Sequence, residues 1–113
     1  MTSGTPGGLL DQIVEVCAHS PAVEAYTLRT LDADILSLRV HLADDSFIEV
    51  FFNTANERVF FALISGNQRI HGKDNAKIGW HEHPADAPQL HRPCAPVSFE
   101  GFLAEVIARR FAA

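Results

Sequence analysis

The chain has 113 residues, of which 47% are hydrophobic and 20% charged. That length supports one hydrophobic core, the apolar share excludes wholesale disorder, and no apolar run approaches the roughly 20 residues of a membrane-crossing helix. Nine basic residues against 14 acidic ones leave a net charge of −5, which excludes a general nucleic-acid coat and confines any contact with RNA or DNA to a local patch.

Residues 1–8 read as a loose tail of Gly, Ser, Thr and Pro, without the basic and apolar regions of a secretory signal. A single domain is expected over residues 9–113. Leu9, Leu10, Ile13, Val14, Val16 and Cys17 recur at helical spacing, and Pro21 closes that helix. A first strand is expected around Val23–Leu31. The period then changes to two. Leu36, Leu38, Val40 and Leu42 share one face of a strand, with Ser37, Arg39 and His41 on the other. After the turn Ala43–Ser46, Phe47–Phe52 alternates Ile48, Val50 and Phe52 against Phe47, Glu49 and Phe51. Arg58–Ile64 and a shorter Arg69–Gly72 follow, joined by a hairpin turn at Ser65-Gly66-Asn67-Gln68.

Lys73–Pro96 breaks every periodic reading, and Trp80, Leu90 and Cys94 are expected to pin it to the core. The chain closes with a helix. Ser98 is its predicted N-cap, Phe99, Phe102, Leu103, Val106 and Ile107 form its apolar stripe, and Arg109 and Arg110 suit its C-terminal dipole. The predicted fold is α+β, an antiparallel meander of four to five strands with an N-terminal and a C-terminal amphipathic helix on one face. Phe47, Phe51, Phe60 and Ile64 then share the opposite face. They become a partner or homodimer surface if nothing covers them, and ordinary core if the sheet curls or the helices straddle it.

The compositional anomaly is histidine. Four of the six, His71, His81, His83 and His91, fall in or beside the irregular segment, flanked by Arg69, Lys73, Lys77 and Arg92. If Gly79–Pro84 is extended, His81 and His83 point the same way. With His91, and Cys94 or water as a fourth ligand, they could hold zinc, although the spacing matches no common zinc finger. Two neighbouring imidazoles could instead serve as general base and acid on an RNA 2′-hydroxyl and its leaving oxygen. Lys73, Lys77 or Arg92 would then stabilise phosphate charge, and Trp80 would stack on a base. The plainer alternatives are histidines that hold the loop through backbone bonds, a core tryptophan and solvated cations. Cys17 lies on the first helix's apolar stripe and reads as a buried, inert thiol. Two cysteines make no disulfide framework, which points to a reducing cytoplasm.

The run Asp44-Asp45-Ser46-Phe47-Ile48-Glu49-Val50 resembles a strand of the TumE-type components of prokaryotic toxin–antitoxin systems. Asp74-Asn75-Ala76, Trp80-His81-x-His83-Pro84, His91-x-Pro93-Cys94 and the helix Ser98–Phe111 resemble the segments that follow it in that family. The resemblance covers about two-thirds of the chain, from Leu36 onward. It implies the toxin half of a two-gene module, neutralised by a small DNA-binding antitoxin, with an RNA-directed activity. The positions it carries over are Asp74, Asn75, Trp80, His81, His83 and His91. The net charge of −5 departs from the basic character of many RNA-cleaving toxins.

Overall fold

The computed structural model describes residues 4–76, 79–87 and 89–111. Helix α1 (Pro6–Ala18) begins three residues earlier than apolar periodicity suggests. Thr5 caps it, its Oγ1 accepting from the Gly8 amide at 3.1 Å, and Pro6 fills a first-turn position where its missing N–H costs nothing. Seven strands follow: β1 (Val23–Leu31), β2 (Ile35–Leu42), β3 (Phe47–Asn53), β4 (Arg58–Ser65), β5 (Gln68–Asp74), β6 (His81–His83) and β7 (Arg92–Pro93). They form one antiparallel sheet in chain order. Helix α2 (Phe99–Arg110) closes the chain, with the Ser98 hydroxyl accepting from Gly101 N at 3.0 Å. The class is the expected α+β meander, with two strands more than the upper expectation. The additional pair, β6 and β7, lies inside the segment that sequence periodicity leaves irregular.

Gly66 and Asn67 both have positive φ, the backbone of a two-residue turn whose twist matches its flanking strands, and they close the β4–β5 hairpin. Alternation then sorts the side chains. Leu36, Leu38, Val40 and Leu42 on β2, Ile48, Val50 and Phe52 on β3, and Val59, Phe61 and Leu63 on β4 are all buried. They meet Leu9, Ile13 and Cys17 from α1 and Phe99, Phe102, Leu103 and Val106 from α2 in one core. Both helices therefore cover the same face. Phe47, Phe51, Phe60 and Ile64 lie on the other and are half-buried. Tyr26, Leu28 and Leu31 on the edge strand β1 remain exposed. Burial pushes the Cys17 thiol up to about 11, in keeping with an inert core position. Among the described residues no helix is long and apolar enough to cross a membrane.

Asp44 ties the β2–β3 turn to the end of α2. Its Oδ2 accepts from Arg110 Nε at 2.7 Å, and its Oδ1 from the Ser46 amide at 3.1 Å and the Ser46 hydroxyl. Burial works to raise this carboxyl's pKa, but Ser46 and Arg110 outweigh it and hold the group below its ordinary 3.8. A folded pKa below the unfolded one adds stability above about pH 3.8 that is lost as pH falls further. Asp44→Asn is therefore expected to be less stable than the wild type at pH 6, and the two are expected to converge below pH 4. Urea midpoints across that range measure it, and a constant gap at all pH values would refute the linkage.

Candidate functional site

The pairing of β5 with β6 sets the site. His81 stands opposite Asp74 and His83 opposite Gly72. The register continues the alternation of β4, where Ala62 faces Gly72 and Phe60 faces Asp74, so both histidines project from the face away from the helices. Glycine eases a close approach across from His83. A Cβ at Gly72 would lie 3.2 Å from the Phe61 carbonyl oxygen, tighter than ordinary contact.

His83 is 3% exposed. Its Nε2–H donates to Asp74 Oδ2 at 3.1 Å. Asp74 is itself fixed, because Oδ1 accepts from the Ala76 amide at 3.0 Å. Holding the ring proton on Nε2 leaves the Nδ1 lone pair available, and Nδ1 has no hydrogen-bond partner among the described residues. His91 comes from the irregular segment between β6 and β7. Its ring centroid lies 4.4 Å from that of His83 and 6.2 Å from that of His81, edge-on to both. Three imidazoles and one carboxylate thus meet at one end of the open face.

Beside them lies a cleft of about 310 Å³, lined among others by Glu49, Arg58, Phe60, Arg69, Asp74 and His83. Phe60 stacks on Phe51 of the neighbouring strand, with centroids 5.4 Å apart and rings 16° from parallel. Arg39 pairs with Glu49 at 3.1 Å and lies 4.7 Å over the Phe47 ring. The open face therefore carries aromatic rings interleaved with three arginines, the pattern that suits unstacked bases and phosphates. Arg58 was not singled out by sequence motifs, and Glu49 entered only as part of the run Asp44–Val50. The signal for them was parity, since each shares a strand face with the open-side phenylalanines.

The other sequence-predicted residues are dispersed. Lys73 turns to the helix side, where its Nζ donates to Glu105 Oε2 on α2 at 2.7 Å. Its ammonium is thereby removed from the histidine cluster, because residue 73 alternates with Gly72 and Asp74. Asn75 is a bracket for β4: its Oδ1 accepts from Val59 N and its Nδ2 donates to the Glu57 carbonyl, both at 2.7 Å. Trp80 packs against the core, and its carbonyl accepts from Cys94 N at 3.1 Å. Arg92 stands opposite Glu82 and bonds to it at 3.3 Å. Burial pushes the Cys94 thiol up, and the charges acting on it are Lys73, Glu82, Glu105 and Asp74. Lys77 lies outside the described residues.

His71 does not join the other histidines. It pairs across from Leu63, on the core face, and is 1% exposed. No family model, curated protein or solved structure matches the chain, so its reading rests on this geometry.

Proposed function

We propose that this chain is the toxin component of a prokaryotic toxin–antitoxin module, working in the cytoplasm, and that it cleaves RNA by metal-independent acid–base chemistry on the open sheet face. The toxin role rests on the resemblance of Asp44–Val50 and the segments after it. The observation that carries the chemistry is the grouping of His91 with His83 and His81, with His83 bonded to Asp74, beside an arginine-flanked cleft. Acid–base cleavage needs one group to accept a proton and another to donate one within a single substrate's reach.

Asp74 keeps His83 in the tautomer whose Nδ1 accepts. His83 takes the proton from the 2′-hydroxyl, O2′ bonds to phosphorus, and the P–O5′ bond breaks. His91 or His81, protonated, supplies the proton to the leaving O5′. The products are a 2′,3′-cyclic phosphate and a 5′-hydroxyl. Arg58 and Arg69 line the adjoining cleft, and their role in this reading is to stabilise the charge that builds on the phosphate. Nδ1 of His83 is buried, so substrate binding must open the approach to that nitrogen. Phe51 and Phe60 supply the apolar platform for a flanking base. A local arginine set meets the electrostatic need that the net charge of −5 leaves unmet. A neutralising DNA-binding antitoxin is the protein partner in this reading.

The test uses purified chain and RNA with excess chelator. Cleavage that leaves cyclic-phosphate ends is expected, with loss of that activity in the His81→Ala/His83→Ala double variant. Undiminished cleavage by the double variant would overturn the reading.

A further inference from the structure

A second cluster lies on the other side of the sheet. His71 of β5 is sandwiched under α2, its ring 5.2 Å from that of Phe102 and 7° from parallel. Neither ring nitrogen has a hydrogen-bond partner among the described residues. Nε2 is 3.5 Å from Glu105 Oε1, too long for a hydrogen bond of normal geometry. One ligand atom each from His71, Glu82 and Glu105 lie within 4.8 Å of one another. A buried imidazole aimed at two carboxylates, with no hydrogen bond of its own, is costly unless something satisfies it.

We propose that His71, Glu82 and Glu105 form a binding site for a divalent transition metal of the zinc class, held between β5, β6 and α2, with water as the fourth ligand. One imidazole nitrogen with two carboxylate oxygens is a donor set that zinc accepts, and three protein ligands leave a position open. Bonds of about 2.0–2.2 Å place tetrahedral ligand atoms about 3.3–3.6 Å apart. The His71–Glu105 pair already stands at 3.5 Å, and the rest of the cluster must close by at most about 1.5 Å. The two glutamates are half-buried and can make that adjustment by side-chain rotation, while stacking on Phe102 fixes the imidazole.

Burial and the charge of Arg109 hold the His71 pKa below the ordinary imidazole value, against the opposing pull of Glu105 and Glu82, so the ring is in its neutral, ligating form at pH 7. Lys73 and Arg92 now pair with the two carboxylates. The metal competes with those pairs. Lys73 holds Glu105 Oε2 and leaves Oε1 facing the imidazole. This site shares no ligand with the zinc set expected from sequence, His81, His83, His91 and Cys94.

The experiment titrates chelator-stripped full chain with zinc ion alone, followed by calorimetry and thermal melting. One equivalent bound with a rise in Tm is expected. Glu82→Gln and Glu105→Gln, which preserve side-chain size, are each expected to weaken binding at least ~10-fold, and His71→Gln to abolish it. The His81→Ala/His83→Ala/His91→Ala triple variant is expected to bind zinc as the wild type does. Absence of stoichiometric binding by the wild type, binding indifferent to both glutamine substitutions, or binding lost only in the triple variant would each overturn the proposal. The glutamine pair keeps the test decisive if His71→Gln fails to fold.

Discussion

Replacing His83 with alanine is expected to lower RNA cleavage by about 10²- to 10⁴-fold, the usual range for losing a positioned general base. On the proposed mechanism the loss should appear in kcat with little change in KM, because the ring would act on the proton in flight while Arg58 and Arg69 would hold the phosphate in ground and transition states alike. Asp74→Asn is expected to cost less, at least ~10-fold, since it leaves the imidazole in place but loosens the tautomer. Asparagine offers Nε2 either an oxygen or an amide group, so the ring proton is no longer held away from Nδ1. His83 is buried, and its removal also leaves a void. His83→Gln fills more of that void, and the two variants should be compared at equal folded fraction by circular dichroism. Wild-type cleavage rates in folded His83→Gln and Asp74→Asn would sink the assignment. An unchanged kcat with raised KM would demote the pair to substrate holding.

The fold was legible where strands were long enough to show a period. Leu36 through Leu42 and Ile48 through Phe52 alternate over enough residues to declare a buried face, and α2 carries both its cap and its stripe. The start of α1 was not legible, because Gly7 and Gly8 weigh against helix while the decisive Thr5 hydroxyl bond is a local geometric event. Strands β6 and β7 span three and two residues, too few for any period. The site was half-legible for the same reason. Alternation puts His81 and His83 on one side of an extended segment, but only the Gly72–His83 register says which side. That register separates His71 and Lys73 from Asp74, His81 and His83, although all five are close in sequence. A pool of histidines and cations around one irregular segment thus becomes two clusters divided by a sheet.

Phe102→Ala is expected to destabilise the protein by about 3–5 kcal/mol, the cost of emptying a large aromatic site that cannot fully collapse. Phe102 is wholly buried, and its ring lies 5.5 Å from that of Phe61 and 5.2 Å from that of His71. Its neighbours are held by the sheet, so relaxation into the void is limited. Domains of this size have about 5–15 kcal/mol in total, so the variant should be close to its folding threshold. At roughly 4 °C per kcal/mol, the melting temperature should fall by about 12–20 °C. Phe60→Ala makes the contrasting measurement. Phe60 is the same residue type on the adjoining β4 position to core Phe61, but it faces the open side, is half-buried and stacks only on Phe51 among the described rings. Its loss should cost about 1–2 kcal/mol, mostly the aromatic pair and some apolar area. Urea midpoints for both variants decide the matter. Equal losses would mean that something covers the open face in solution, and a larger loss at Phe60 would invert the assignment of core and functional face on which the histidine site depends.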